Sequence, residues 1–375
     1  MAAQKSASIV EHFADLSDPR RREGTYSLIN FVVIGICAVL CGADDFVAMA
    51  HFGRSKRKFL EKFLDLSAGI PSHDRFNAIF AAIKPAEFEK CLVSWITTLH
   101  KITDGQVVAI DGKTLRRSFD AASSKAAIHM VSAWATANHI SLGQRVIDKK
   151  SNEITAIPKL LEILDVSGCL VTIDAMGCQT KIARKIVDSG ADYVLAVKGN
   201  QKTLHSSIRR YFDNHLQDDF ARTSVRRHRT FEQGHGREET REYFISKVPG
   251  GLADKDRWPH LAAIGMAVNI TVRGGKETRD VRYYILSRYL SGKRFGEAVR
   301  CHWGIENSCH WQLDVTFQED QSRIRKGHAD ANFSILRRTA LSLLKNNHGR
   351  KVGIKNKRLI AALDEDYLTE VLLGK

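Results

Sequence analysis

From residue 105 onward the apolar residues stop recurring at helical spacing and gather in short runs. The runs predict strands at 106–110, 129–136 and 139–148, and again at 169–173 and 192–197. Helices are predicted between the later strands, at 154–165 and at 178–189, with Gly190 as the stop of the second. Three strands, then helix, strand, helix and strand can bury their apolar faces only as a mixed α/β layer structure.

Within this region, Val107 to Ile110 is an apolar run that ends in an acid, Asp111, which has no packing reason to be there. Gly112 lets the backbone turn or approach something closely, and Lys113, Arg116 and Arg117 surround the acid with positive charge. Asp-Gly after a strand is also an ordinary hairpin signal, so the stretch alone leaves that reading open. A phosphate-binding P-loop fails on spacing, because Val107 stands where the first Gly of that motif is needed. The pattern recurs at Leu170 to Ile173, which ends in Asp174. In a sheet with parallel strands, both acids fall at carboxyl ends, where such sheets bind ligands. Two adjacent carboxylates repel unless a cation lies between them, and hard oxygen ligands favour Mg²⁺ or Mn²⁺. The strand and helix order predicts a ribonuclease-H-like catalytic core.

Residues 1–102 read as all helical. Helices are expected at 8–16, 28–41, 45–66 and 85–102, with a Ser72-capped helix before Pro85. His73, Arg75 and Asn77 on the Ser72-capped helix resemble a helix-turn-helix reader, so this is the expected DNA-binding domain. The formal net charge of +15 and the pI near 9.5 favour a polyanionic partner. Residues 201–285 read as a mostly β insertion. It opens with a basic stretch (Arg226, Arg227, Arg229, Arg237), and strands follow at 241–247, 262–272 and 279–287. Residues 286–345 return to the core as helix, and 346–375 form a basic, mobile tail with a last short helix. Seven scattered cysteines and an N-terminus without an apolar core fit a reduced, cytoplasmic protein. The longest apolar run, Leu28 to Ala43, falls short of the ~20 residues of a membrane span.

A third acid, Glu306, sits in Arg-Cys-His-Trp-Gly-Ile-Glu-Asn-Ser-Cys-His-Trp, residues 300–311. On a helix, His302 or Trp303, Glu306, His310 and Asp314 share one stripe. Such a stripe suits an active-site wall, and equally a packed helix with a polar edge. The two Cys-His pairs lie about 12 Å apart along a helix, too far to share one zinc ion.

Several motifs occur together and in order: Ala109-Ile-Asp-Gly-Lys-Thr-Leu-Arg116, Thr172-Ile-Asp-Ala-Met-Gly-Cys-Gln179 and Lys198-Gly-Asn-Gln201. Gly234-His-Gly-Arg-Glu238, His302-Trp-Gly-Ile-Glu-Asn307 and His310-Trp-Gln-Leu-Asp-Val315 follow. With these the chain resembles insertion-sequence transposases with an Asp-Asp-Glu core, specifically the H-repeat-associated (ISAs-type) group, from about residue 10 to 345. The resemblance implies that Asp111, Asp174 and Glu306 hold two Mg²⁺ (or Mn²⁺) ions. It implies cleavage of double-stranded DNA at transposon ends, followed by joining of the freed 3′-hydroxyl to target DNA. The expected DNA contacts are Lys113, Arg116, Arg117, Lys198, Asn200, Gln201, Arg237, Arg300, His302, Trp303, Asn307 and His310. Broader relatives carry an Arg four residues before the glutamate and a Lys seven after. Here those positions hold His302 and Leu313, so His302, His310 or Arg300 are expected to take over. The chain is expected to act as a homodimer on DNA, with no membrane, in a bacterial cytoplasm at the nucleoid. Two alternatives remain open from sequence: a ribonuclease-H-like nuclease that cuts without rejoining, and a decayed or domesticated transposase that only binds DNA.

Overall fold

Asp45 and Ser72 show how the first hundred residues are divided into helices. Each sits in extended backbone, and its side-chain oxygen accepts from the amide three residues on, Ala48 and Arg75 respectively. The computed structural model describes residues 9–22, 24–99, 105–115, 128–147, 152–234 and 236–374. The described chain forms two compact units, one made of 1–102, 112–149 and 306–375, the other of 103–111 and 150–305.

The first unit opens with α1 (Ile9–His12), α2 (Leu28–Leu40), α3 (Phe46–Ser55), α4 (Arg57–Leu60), α5 (His73–Ala82) and α6 (Pro85–Leu99). The apolar α2 is buried from Asn30 to Leu40. The helix expected over 45–66 is instead two, broken at Lys56, and it stops at Leu60. Strand β1 (Val107–Leu115) divides between the units, Gly112–Leu115 belonging to the first. There it neighbours β2 (Ile128–Ala135), which pairs antiparallel with β3 (Ile140–Ile147).

The second unit continues with α7 (Glu153–Leu161), β4 (Leu170–Ile173), α8 (Thr180–Asp188), β5 (Asp192–Val197) and α9 (Lys202–Leu216). Then come β6 (Val225–Gly234), β7 (Arg237–Lys247), β8 (Ala263–Arg273), β9 (Lys276–Leu286) and α10 (Gly292–Ile305). Its strand order is β1-β4-β5-β9-β8-β7-β6. The β1, β4 and β5 strands run parallel, and the rest pair antiparallel. Helix α9 lies where a mostly β segment was expected. Leu204, Ile208 and Phe212, four apart, are its buried stripe. The basic stretch before Gly234 is strand β6, at the end of the strand order.

Helix α10 packs closely on the sheet of its unit. A Cβ on Gly265 would stand 2.5 Å from the Phe295 ring, and one on Gly296 2.8 Å from Tyr243. Phe295 meets Tyr243 and Tyr284 edge-on, with ring centroids 6.1 and 5.4 Å apart. Arg294 bonds to the Gly105 carbonyl just ahead of β1. Small residues at two facing positions thus let the helix that leads to Glu306 sit against the strands.

The chain then re-enters the first unit through a five-residue π turn, Glu306–His310, and α11 (Trp311–Val315). It ends with α12 (Ala329–Asn346), α13 (Ile354–Leu363) and α14 (Glu365–Leu372). Helix α12 is buried from Ala329 to Leu344. The supposed tail is folded too. Lys357 donates to the Leu344 and Asn347 carbonyls, at 2.8 and 2.5 Å, and Arg358 pairs with Asp44 at 2.9 Å. Those cations are used to satisfy carbonyls and a carboxylate, which fixes a segment read from sequence as mobile. No helix among the described residues is long and apolar enough to cross a membrane.

Candidate active site

Asp111 and Asp174 belong to the second unit and follow directly on paired residues of neighbouring parallel strands. The β1–β4 register runs from Val107 opposite Leu170 to Ile110 opposite Ile173, and both strands are buried up to that point. Asp111 is not at a strand end, however. β1 continues through Asp111 and Gly112 to Leu115, so the hairpin reading of Asp-Gly fails. What ends at Ile110 is the ladder with β4.

The backbone after Asp174 folds over its carboxylate, whose Oδ1 accepts from the Met176 and Gly177 amides at 3.1 and 3.2 Å. Two residues expected to touch DNA hold this turn. Asn200 Nδ2 donates to the Ala175 carbonyl at 2.5 Å, and Gln201 Nε2 donates to the Cys178 carbonyl at 3.0 Å. Lys198, just before them, is exposed. Thr172, two residues before Asp174, lies 3.3 Å through its hydroxyl from His302 Nδ1.

His302 cannot replace an arginine near neutral pH. Burial, opposed by the nearby Asp174, pushes its imidazole down to about 4. His310, in the first unit, is pushed down to about 3 by burial and then by Arg338 and Lys113. Both are neutral rings. Trp303 is exposed, with the Arg282 guanidinium 3.7 Å from its ring centroid. Arg300 pairs with Glu232 at 2.7 Å, and Arg237 with Glu239 at 3.5 Å.

In the first unit, Glu306 opens the π turn and is exposed, as is Asn307. The residues around Glu319 read as a polar, partly solvated segment, and those around Glu306 as burial with a polar opening; the structure instead buries Glu319. Glu319 is 2% exposed. Its Oε1 accepts from Ser334 at 2.6 Å and Arg338 at 3.2 Å, and its Oε2 accepts from Lys113 at 2.8 Å. Lys113 also bonds to Asp314. Burial alone would raise the Glu319 carboxyl, but Arg338, Lys113 and Arg337 hold it far below the usual range. Lys113, expected to neutralise a phosphate, is therefore a buried structural cation committed to two carboxylates. Arg116 and Arg117 lie outside the described residues.

Among the described residues, no three His, Cys, Asp or Glu side chains are gathered closely enough to hold one metal ion. The structure thus sets Asp111 and Asp174 on adjacent strands and places Glu306 in the other unit. Sequence reasoning missed the Glu319 network. Its signal was the pair Arg337-Arg338 between the apolar Ile335-Leu336 and Ala340-Leu341, where two buried cations require partners.

The family described as "Transposase DDE domain" matches residues 102–343, and the one described as "DDE_Tnp_1-associated" matches 10–96. "Putative transposase YncI" of Escherichia coli O157:H7 is 40% identical, over 97% of this chain and 94% of its own. "H repeat-associated putative transposase YhhI" of Escherichia coli strain K12 is 38% identical, over 98% of each chain. "Putative protein YbfL" of the same strain is 38% identical over the same shares. A domain match over most of the chain and relatives similar along nearly its full length agree: the chain belongs to the DDE transposase family.

Proposed function

We propose that this transposase binds the repeats at transposon ends, cuts the DNA there, and joins the freed 3′-hydroxyl to target DNA by phosphoryl transfer. Asp111, Asp174 and Glu306 are its catalytic acids. The observation that carries this is the placement of Asp111 and Asp174 one residue beyond a paired Ile110–Ile173 on parallel strands. The order β3-β2-β1 in one unit, and β1-β4-β5 in the other, supports a ribonuclease-H-like core. Residues 1–102 supply a helical DNA-binding part and 201–285 an insertion ahead of the glutamate helix.

The donor set fits divalent cations. It consists of carboxylate oxygens, and the Asp174 carboxylate is already oriented by two amides, with its second oxygen outside those bonds. Two Mg²⁺ or Mn²⁺ ions bound by these acids would supply Lewis-acid stabilisation of charge at the phosphate. The protein's own groups do the positioning. Asn200 and Gln201 fix the turn after Asp174, and neutral His302 holds Thr172 without adding a competing positive charge. The exposed Lys198, Arg237 and Arg300, together with Trp303 and Asn307, remain the proposed DNA contacts, in a protein that acts as a homodimer.

The test is single-turnover nicking and strand joining on a duplex carrying the element's end, in Mg²⁺ and in Mn²⁺. Asp111→Asn, Asp174→Asn and Glu306→Gln should each lose cleavage by orders of magnitude while duplex affinity changes by no more than a few fold. A variant that still nicks at the parental rate removes that residue from the catalytic set. Nicking without joined product selects the nuclease reading, and no nicking by the parent selects the DNA-binding one.

A further inference from the structure

The first unit contains a cleft of about 1020 Å³, lined by none of the proposed catalytic acids or expected DNA contacts but by His73 and Asn77 of the helix read as a DNA reader. One wall is the start of α5, with His73 and Asn77. The other is the loop 318–327, which brings Arg323, Arg325 and Lys326 to the opening.

The loop is built rather than loose. At its start Gln318 takes a left-handed backbone, with φ of 51°, and Glu319 is drawn inward by Lys113 and Arg338. At its end Gly327 has φ of +53°, and a Cβ there would stand 2.5 Å from the Ala81 carbonyl oxygen. The next amide, His328 N, donates to that same carbonyl at 3.0 Å. The loop is therefore pressed on the carboxyl end of α5, the helix whose amino end forms the opposite wall.

The charges decide what the cleft takes. Of its two acids, Asp44 is neutralised by Arg358 at 2.9 Å, while Asp45 accepts from the Ala48 amide at 2.8 Å and keeps its charge. Arg323 and Lys326 are exposed and make no ion pair among the described residues. Two exposed cations against one uncompensated acid leave a positive excess, which favours a polyanion. An open cleft without an enclosed pocket for a base suits a phosphate backbone, which is held without reading sequence.

We infer that this cleft binds the phosphate backbone of double-stranded DNA through Arg323 and Lys326, with His73 and Asn77 as polar contacts on the facing wall. It is a contact separate from the catalytic acids, and the inference rests on the reading of the protein as a DNA transposase. The cleft joins the helical amino-terminal part and the carboxy-terminal loop into one binding surface.

The test is fluorescence anisotropy of the full chain on a labelled random-sequence duplex, across salt from about 50 to 200 mM. Arg323→Gln with Lys326→Gln should lower the slope of log affinity against log salt by about 1.8, two contacts at about 0.9 each. Lys159→Gln with Lys355→Gln, exposed cations outside the cleft and outside the proposed DNA contacts, removes the same charge as a control. A parental slope in the cleft variant overturns the inference, as does an equal fall in the control. Failure of the parent to bind any duplex overturns the transposase reading with it, which separates the two failures. Thermal melts of both variants should match the parent, since none of the four side chains is buried.

Discussion

Replacing Glu319 by Gln keeps its shape and removes its charge. In the parent the carboxylate has three partners within 3.2 Å, Ser334, Lys113 and Arg338, and no solvent. Neutralising it leaves the buried Arg338 guanidinium without its ion partner, whereas Lys113 keeps Asp314. Breaking a buried pair by removing one partner costs about 3–5 kcal/mol. The retained Lys113–Asp314 pair, and the hydrogen bonds an amide still makes, put the expected cost near the low end, about 3 kcal/mol. At about 2–4 °C per kcal/mol for a unit of this size, the melting transition should fall by about 6–12 °C. Lys113→Met should cost less, because Glu319 then keeps Arg338 and Ser334. The double variant should show a coupling of about 0.5–3 kcal/mol. Differential scanning calorimetry of the three variants measures all of this. A Glu319→Gln melt that coincides with the parent's, or one less damaging than Lys113→Met, would refute the reading of Glu319 as the hub of the network.

Acid should destabilise the protein in two stages. His302 and His310 are held neutral in the fold, with values of about 4 and 3. The unfolded chain therefore binds more protons below about pH 6.5, and stability falls from there downward. Glu319 is held ionised, so its contribution is complete above about pH 4.3 and is lost as pH drops further. Urea unfolding at a series of pH values checks this, and His310→Gln should flatten the limb between pH 4 and 6.5. Asn200→Ala removes the bond to the Ala175 carbonyl. It should cost about 1 kcal/mol of stability and slow cleavage by up to about 10²-fold through misplacement of Asp174, with duplex affinity unchanged.

The parallel core was legible because its strands are short, apolar and separated by helices with clear stops. Gly190, with φ of +73°, ends α8 where its sequence says it should. Local pattern fails where the partner is distant in sequence. Lys113 reads as one cation among several beside Asp111, and its commitment to Asp314 and Glu319 depends on residues two hundred positions away. Glu319 reads as solvated among Gln318, Asp320 and Gln321, since nothing local reveals the arginine waiting on α12. The basic run at 346–357 failed for the same reason, its Lys357 being used by carbonyls of α12 and the turn after it. The π turn at Glu306 also has no local spacing signal. It inserts a wider turn into a helix whose stripe had been counted at 3.6 residues, and such turns are frequent at functional sites.

The burial of Glu319 and the exposure of Glu306 change the reason for proposing Glu306 as the third acid. A carboxylate that holds a metal must have lone pairs to give, and Glu319 has committed both oxygens, Oε1 to Ser334 and Arg338 and Oε2 to Lys113. Freeing Oε1 would strand the buried Arg338 guanidinium, whereas Lys113 on Oε2 would keep Asp314. Asp314 is tied to Lys113, and Glu297 is paired with Arg294 at 3.2 Å. Glu306 is exposed on the helical segment that passes between the units. Its exposed carboxylate makes it the acid of this segment whose charge is not spent on a buried partner, and the interior charge of Glu319 holds Lys113 on its own unit.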